Sequence, residues 1–448
     1  MPTAARVPST SVLPKGSRRA NGAELNRLEP ADRPAHDWYR FVLSYPPHLV
    51  REYVEQFALG RKARVLDPFC GTGTTVVECK KLGLASIGIE AHPMSHFAGE
   101  TKVDWSIDAD RLEQTAMQIA ESALTQLERN GIIDDSQPNL LREDAPMQIT
   151  LRSLPAEALK LLLTDSISPL PLHKTLVLLD HIDAADYGRS HLRLVLAKAL
   201  VGTISNLHFG PEVGIGPAKA DAPVISTWLG FVVQMARDLR SLAGKAKVSA
   251  VIHHADSRQM RRLLPPRSVD AVITSPPYPN EKDYTRTTRL ETVVLGFIRE
   301  KQALRSLKRT MLRSNTRGVY KEDTDDKWVA SHVEIQRIAE AIEARRIELG
   351  KTSGFERLYA RVTKLYFGGM ARHLGELRPL LRPGARLAYV VGDQASYLRV
   401  MIRTGQILAS IAEELGYRVE RIDLFRTRLA TATREQLREE VLVLHWPG

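Results

Sequence analysis

The chain has 448 residues, with 63 Lys and Arg against 52 Asp and Glu, for a formal charge of +11. Its two cysteines, Cys70 and Cys79, exclude a disulfide framework or a Cys-rich metal site, and no apolar run reaches the roughly 18 residues that suggest a membrane span. A reducing, cytoplasmic setting is the expectation, and the basic excess fits a polyanionic partner, because Lys and Arg that neutralise phosphates release counterions.

Residues 1–30, which include Lys15, Arg18 and Arg19, combine prolines and scattered basic residues without an apolar signal core, and read as a disordered basic tail. Pro46-Pro47 leads into a helical pattern over 49–59 that Gly60 stops. A strand over 64–66 breaks into Gly71-Thr72-Gly73. A helix follows over 74–82, Gly83 ends it, and a second strand over 85–89 finishes at Glu90. This β-α-β unit is the parallel nucleotide-binding arrangement.

The alternation then stops. Helical patterns dominate residues 104–247, at 112–127, 156–163, 191–205 and 227–242, while the apolar run 175–179 fits a short strand or a buried helical turn equally. The segment reads as a helical insertion into one α/β domain, whose first part is 31–103 and whose second is 248–448. Strands resume at 248–252 and 271–274, and a basic helical stretch spans 284–361. A turn at Leu381-Arg382-Pro383-Gly384 precedes a strand over 386–391, and runs at 418–424 and 440–446 close the sheet as a hairpin-like pair.

Two turns carry the candidate chemistry. In Asp67-Pro68-Phe69-Cys70-Gly71-Thr72-Gly73 the glycines let a ligand approach the backbone, and the helix behind offers unpaired N–H groups. The pattern lacks the spacing of a dinucleotide fingerprint and the Gly-Lys-Ser/Thr of a phosphate-binding loop, which disfavours NAD and ATP. Glu90, at the end of the second strand, can accept the hydroxyls of a ribose. Asp256 holds the analogous place after the third strand; for both, a solvated strand-end acid is the plainer alternative. In Thr274-Ser275-Pro276-Pro277-Tyr278, prolines without N–H groups fix a backbone whose carbonyls can accept hydrogen bonds from a substrate. The basic segment 305–317 fits a phosphate grip or a solvated helix face. His253 and His254 point to opposite faces of a strand, so no metal is expected.

Asp-Pro-Phe-x-Gly-x-Gly and Ser-Pro-Pro-Tyr together resemble the two signature motifs of the S-adenosylmethionine-dependent amino-methyltransferases of DNA, N4-cytosine type. The resemblance spans about 38–103 and 246–448. It implies a Rossmann-like, seven-stranded methyltransferase sheet. Asp67 would orient the cofactor's ammonium group, Phe69 would pack on its methionine part beside Gly71 and Gly73, Glu90 would hold its ribose, and Asp256 would meet its adenine amine. It further implies that Ser275 and the Pro276 carbonyl, in a turn fixed by Pro277, hold the target amine while Tyr278 stacks on a base flipped from double-stranded DNA, within a restriction-modification or similar role. Ser before Pro-Pro goes mostly with N4-cytosine. An N6-adenine enzyme, an RNA base-amine methyltransferase and an inactive nucleic-acid-binding protein are the alternatives. Carbon-5 methylation needs a cysteine nucleophile, and neither Cys70 nor Cys79 is placed for it. The cofactor motif precedes the catalytic motif, with the insertion between them, so residues 104–247 either read DNA sequence or cap the cofactor site.

Overall fold

The computed structural model describes residues 28–40, 44–134, 150–210, 212–280, 282–429 and 436–448. The tail expected over 1–30 therefore lies outside the described residues as far as 27. Among the described residues, no helix is long and apolar enough to cross a membrane.

Seven strands form one sheet: β1 (Arg64–Asp67), β2 (Ala85–Glu90), β5 (Ala250–His254), β6 (Val269–Thr274), β7 (Leu381–Gly392), β8 (Arg418–Leu429) and β9 (Gln436–His445). A separate two-stranded ribbon, β3 (Leu207–Phe209) and β4 (Val213–Ile215), lies between β2 and β5 in the chain. The sheet order is β5-β2-β1-β6-β7-β9-β8. The first five are parallel, and β9 pairs antiparallel with both β7 and β8. This is the seven-stranded α/β sheet that the motifs imply, closed by the expected hairpin.

The first crossover follows its sequence closely. Helix α1 (Pro47–Gln56) precedes β1, and α2 (Thr74–Leu82) joins β1 to β2. Gly83, at φ +80°, ends α2: its N–H meets the Lys80 carbonyl, and the Leu84 N–H meets that of Cys79, which satisfies two carbonyls a helix end would leave open.

Between β2 and β5 run α3 (Pro93–Val103), α4 (Ala109–Arg129), α5 (Pro169–Asp183), α6 (Arg189–Ala199) and α7 (Val224–Leu242). The run 175–179 lies inside α5, so it is helical. Helix α3 packs on β5 and α6, while α4, α5 and α7 pack together. The Trp38 indole donates to Asp238 of α7 at 2.9 Å and ties the start of the described chain to this layer.

The stretch 284–361 is less helical than expected; its longer helices are α8 (Lys301–Thr310) and α9 (Val333–Glu348), joined by irregular chain. Then α10 (Tyr359–Leu377) and α11 (Thr404–Glu414) cover one face of the sheet, where Leu387, Tyr389 and Val391 of β7 point. The alternate residues Ala388 and Val390 point to the other face, against α1 and α2. The expected turn at Leu381-Arg382-Pro383-Gly384 is an excursion within β7 instead. Val269 pairs with Leu381 and Ala271 already with Arg386, so β7 bulges where Pro383 has no N–H to give and Gly384 takes φ +87°.

Candidate active site

Parallel strands β1 and β6 are neighbours, so their carboxyl ends bring the two turns side by side. The last residue of β6, Thr274, donates its hydroxyl to Asp67 Oδ1, at the end of β1, over 2.6 Å, and the Phe69 N–H donates to the same oxygen at 3.1 Å. Asp67 is fully buried, and burial raises its carboxyl to about 6; the hydrogen bonds, led by that from Thr274, oppose the rise. Its other oxygen, Oδ2, has no hydrogen-bond partner of good geometry. The Thr75 and Tyr45 hydroxyls lie close enough to help hold the carboxylate.

The glycine turn is held from below. Gly71 (φ +53°) donates its N–H to Glu90 Oε2 at 2.7 Å, and the His92 N–H donates to Oε1 at 2.7 Å. Gly73 (φ +93°) opens α2 so close to α3 that a Cβ there would lie 3.3 Å from the Gly99 Cα. Burial raises the Glu90 carboxyl to about 7, against the pull of those two N–H groups. The Ala91 N–H adds a third, weaker backbone hold on the same carboxylate. Phe69 sits edge-on to His373, ring centroids 4.8 Å apart. That imidazole lies 3.2 Å from the Ser257 carbonyl and 2.8 Å from the Tyr389 hydroxyl, and burial depresses it to about 4.

Asp256 lines the same cavity but is not free. Arg258 Nε donates to its Oδ1 at 2.9 Å and Nη2 to its Oδ2 at 2.7 Å. The other side of that guanidinium reaches Asp325 at 2.5 Å and the Thr310 carbonyl at 3.3 Å. A ligand amine at Asp256 has to share the carboxylate with Arg258. Asp325 itself lies against α10, where a Cβ on Gly368 would fall 1.9 Å from its carbonyl oxygen.

In the second turn Ser275 donates its hydroxyl to the Val390 carbonyl at 3.2 Å, and the Tyr278 phenol meets the same oxygen, which leaves one serine lone pair as an acceptor. The Tyr278 ring packs over Gly392: a Cβ at 392 would sit 2.9 Å from Tyr278 Cε2. Burial, then the Glu439 carboxylate, raise the Tyr278 phenol, and the Ser275 hydroxyl pulls it back. The Tyr284 phenol, raised to about 12 by burial, is opposed by a hydrogen bond from the backbone of Tyr278. Phe69, Gly71, Glu90, Asp256, Ser275 and Tyr278 all line one cavity of about 320 Å³, and Pro276 and Pro277 complete that wall; Asp67 and Gly73 stand just behind it.

Sequence reasoning missed several lining residues. Asn280 and Tyr284 follow the second turn with no pattern to mark them. Arg426 and Arg428, two apart on β8, carry a period-2 signal that could have drawn notice. Within the basic segment 305–317, Lys308 is bound to Asp283 at 2.7 Å, and buried Arg313 meets both oxygens of Asp323 at 2.8 and 2.7 Å, so these two cations serve the fold. Next to them, Thr310, Met311 and Leu312 form a wall of the cavity. Among the described residues, no three His, Cys, Asp or Glu side chains lie close enough to hold an ion.

A family described as DNA methylase matches residues 19–96, which contain the glycine turn and β2. The Type II methyltransferase M.BsoBI of Geobacillus stearothermophilus is 24% identical over 435 residues, covering 89% of this chain and 82% of that protein. The Type II methyltransferase M.AvaI of Anabaena variabilis is 24% identical over 461 residues, with 96% and 89% covered. The Type II methyltransferase M.MjaII of Methanocaldococcus jannaschii is 33% identical over 69 residues, 15% of this chain and 13% of that protein.

Proposed function

We propose that this chain, an S-adenosylmethionine-dependent amino-methyltransferase acting on DNA, places the methyl group on the N4 amine of cytosine. One observation carries the methyl-transfer part of this reading. The Thr274–Asp67 hydrogen bond of 2.6 Å fastens the cofactor turn to the catalytic turn, and both open into one cavity.

The residues fit the cofactor: Asp67 sets a buried carboxylate behind the cavity wall, Phe69 offers a ring, and Glu90 lines the cavity with its carboxylate. When bound, S-adenosylmethionine supplies a methyl group made electrophilic by its sulfonium. An exocyclic base amine is a poor nucleophile, because its lone pair is delocalised into the ring. Ser275, whose proton is directed to Val390, accepts one amine hydrogen, and the Pro276 carbonyl accepts the other. Pro277 fixes that carbonyl, and the nitrogen is drawn toward tetrahedral geometry. Tyr278, backed by Gly392, presents a ring to a base rotated out of the duplex, the route open to enzymes that modify stacked bases. Holding the amine in line is worth on the order of 7 kcal/mol of barrier. Cys70 and Cys79 are buried, with thiols pushed up by burial, which suits direct transfer without a covalent enzyme intermediate.

Within the same reading, residues 104–247 interrupt a catalytic domain of 31–103 and 248–448 and serve target recognition or capping. The cytosine assignment rests on Ser275 before Pro-Pro. Incubation with plasmid and methyl-labelled cofactor, digestion to nucleosides and chromatography tests it. Label in N4-methyldeoxycytidine is expected; label in N6-methyldeoxyadenosine would overturn the cytosine assignment, and label confined to RNA would overturn the substrate class.

A further inference from the structure

The mouth of the cavity has a feature that neither motif explains. Strand β8 pairs with β9 in regular register from Arg421↔Val443 to Leu424↔Glu440, and then Arg426, not Phe425, pairs with Glu439. One extra residue, Phe425, is inserted on β8 as a bulge. Directly paired residues share a face and successive residues alternate. Arg421 and Asp423 share a face with Val441 and Val443; without the bulge that face would continue with Phe425 and Thr427. With it, Arg426 and Arg428 join Phe425 on that side, on the face of Glu439 and Gly392, where Tyr278 packs, and all three line the cavity. Bulges re-aim side chains beside active sites, and this one turns two arginines toward the cavity.

A third cation joins them from the loop after the catalytic turn. The Asn280 N–H donates to the Tyr278 carbonyl at 2.8 Å, the Lys282 N–H to Asn280 Oδ1 at 3.0 Å, and Asn315 Nδ2 to the Lys282 carbonyl at 3.2 Å. This chain of turns fixes the Lys282 backbone relative to Tyr278. Lys282, Arg426 and Arg428 all line the cavity. Glu439 is the carboxylate at that end, 2.5 Å from Arg426 and 3.5 Å from Arg428. Glu212, beside the β3–β4 ribbon, is also within electrostatic reach of Lys282. Three cations against these two acids leave the rim positive. The Arg428 side chain is 41% exposed and that of Arg426 18%, so the pair runs from the open rim inward.

The geometry points to a phosphate-binding site at the cavity mouth, formed by Lys282, Arg426 and Arg428, that grips the backbone phosphate of the nucleotide whose base enters the cavity. The inference rests on the DNA reading above and deepens it. A flipped base stays tethered by its own phosphates, so cations at the rim can hold the extruded state while the acceptors inside address the amine. Phosphate contacts fix position without reading sequence, so these residues serve placement and not base choice. Arg426 shares its charge with Glu439; Arg428 and Lys282 are the two to remove.

The test is the salt dependence of binding to a fluorescein-labelled duplex that carries the mapped target site, with S-adenosylhomocysteine present. For the double variant Lys282→Gln, Arg428→Gln, the slope of log K against log salt is expected to fall by about 1.8, at about 0.9 per phosphate contact. That corresponds to about eightfold per contact at 0.1 M salt, or about sixtyfold in all. Cofactor affinity by calorimetry is expected to be unchanged. The control Arg337→Gln, an exposed residue of α9 paired with Glu334, is expected to leave the slope unchanged. A double variant with the wild-type slope, a control that moves it as much, or a double variant that loses cofactor would overturn the inference. A wild-type protein that methylates no DNA would instead overturn the functional reading, so the two failures are told apart.

Discussion

Strands β1 and β6, at the middle of the sheet, are buried almost throughout, whereas β8 at one edge is half-exposed along most of its length. The difference decides how each strand delivers a functional residue. β1 and β6 deliver theirs by ending: wherever the apolar run stops, Asp67 and Thr274 emerge at the carboxyl edge, where ligands bind in open α/β sheets. β8 delivers Arg426 and Arg428 by phase, and its phase is set by inserted residues, after Val419 and again after Leu424. An ending is written in local composition. A phase depends on which partner residue lies opposite, and that is a property of the folded sheet.

The sharpest way to isolate the central strands is Asp67→Asn, which keeps the shape and the Thr274 contact but removes the charge. A hydrogen bond to a charged group is worth about 1.5–3 kcal/mol, so S-adenosylmethionine affinity should drop by about 10- to 150-fold, read by calorimetry, with the DNA salt slope unchanged. Replacing the rim cations, Lys282→Gln with Arg428→Gln, does the converse at the edge. Removing both cations should lower duplex affinity by about sixtyfold at 0.1 M salt while cofactor affinity holds. If each variant damaged both ligands equally, the separation of the two regions would be wrong.

Gly392→Ala probes the seam between them. The new Cβ would stand 2.9 Å from Tyr278 Cε2, so the ring has to move. Overpacking of this kind costs about 1–3 kcal/mol, and because the ring is proposed to address the base, kcat should fall by roughly tenfold with cofactor affinity intact. Sequence marked Tyr278 through its motif but gave Gly392 no role, since only the fold sets the β7 glycine beside that ring. The same limit explains the other misses. Gly73, Gly83 and the apolar runs between them act within a few residues of themselves, so the first β-α-β unit was legible almost to the residue. Lys308 and Arg313 look like free cations until Asp283 and Asp323, 25 and 10 residues away, are brought against them. Asp256 reads as a strand-end acid, and its partner Arg258 is two residues on, but the hold of Arg258 on Thr310 and Asp325 needs the whole domain. Helical periodicity was enough to find α4 and α7 between β2 and β5, yet it gave no reason to place a ribbon there or to settle 175–179 as helix.

The smallest effect distinguishes the two regions by pH. Burial lifts Asp67 to about 6, so in the free protein a growing fraction is protonated as pH drops from 7.5 to 5.5. A cationic ammonium binds the ionised form, so cofactor affinity should weaken by about fourfold over that range; Asp67→Asn should flatten the part due to this group. The sign is opposite for stability without ligand. A carboxyl whose folded value is raised above its unfolded one stabilises the fold fully below the unfolded value, and that contribution is lost as pH rises through the folded one. Acidification from 7.5 to 5.5 should therefore raise the share of stability due to Asp67 while cofactor protection shrinks, and Glu90, lifted to about 7, acts in the same direction. Duplex affinity measured without cofactor reports on the other region and should change little over the same range. A cofactor affinity flat between pH 7.5 and 5.5 would mean that Asp67 does not face the ammonium, and the central strands would then deliver a structural acid and not a ligand.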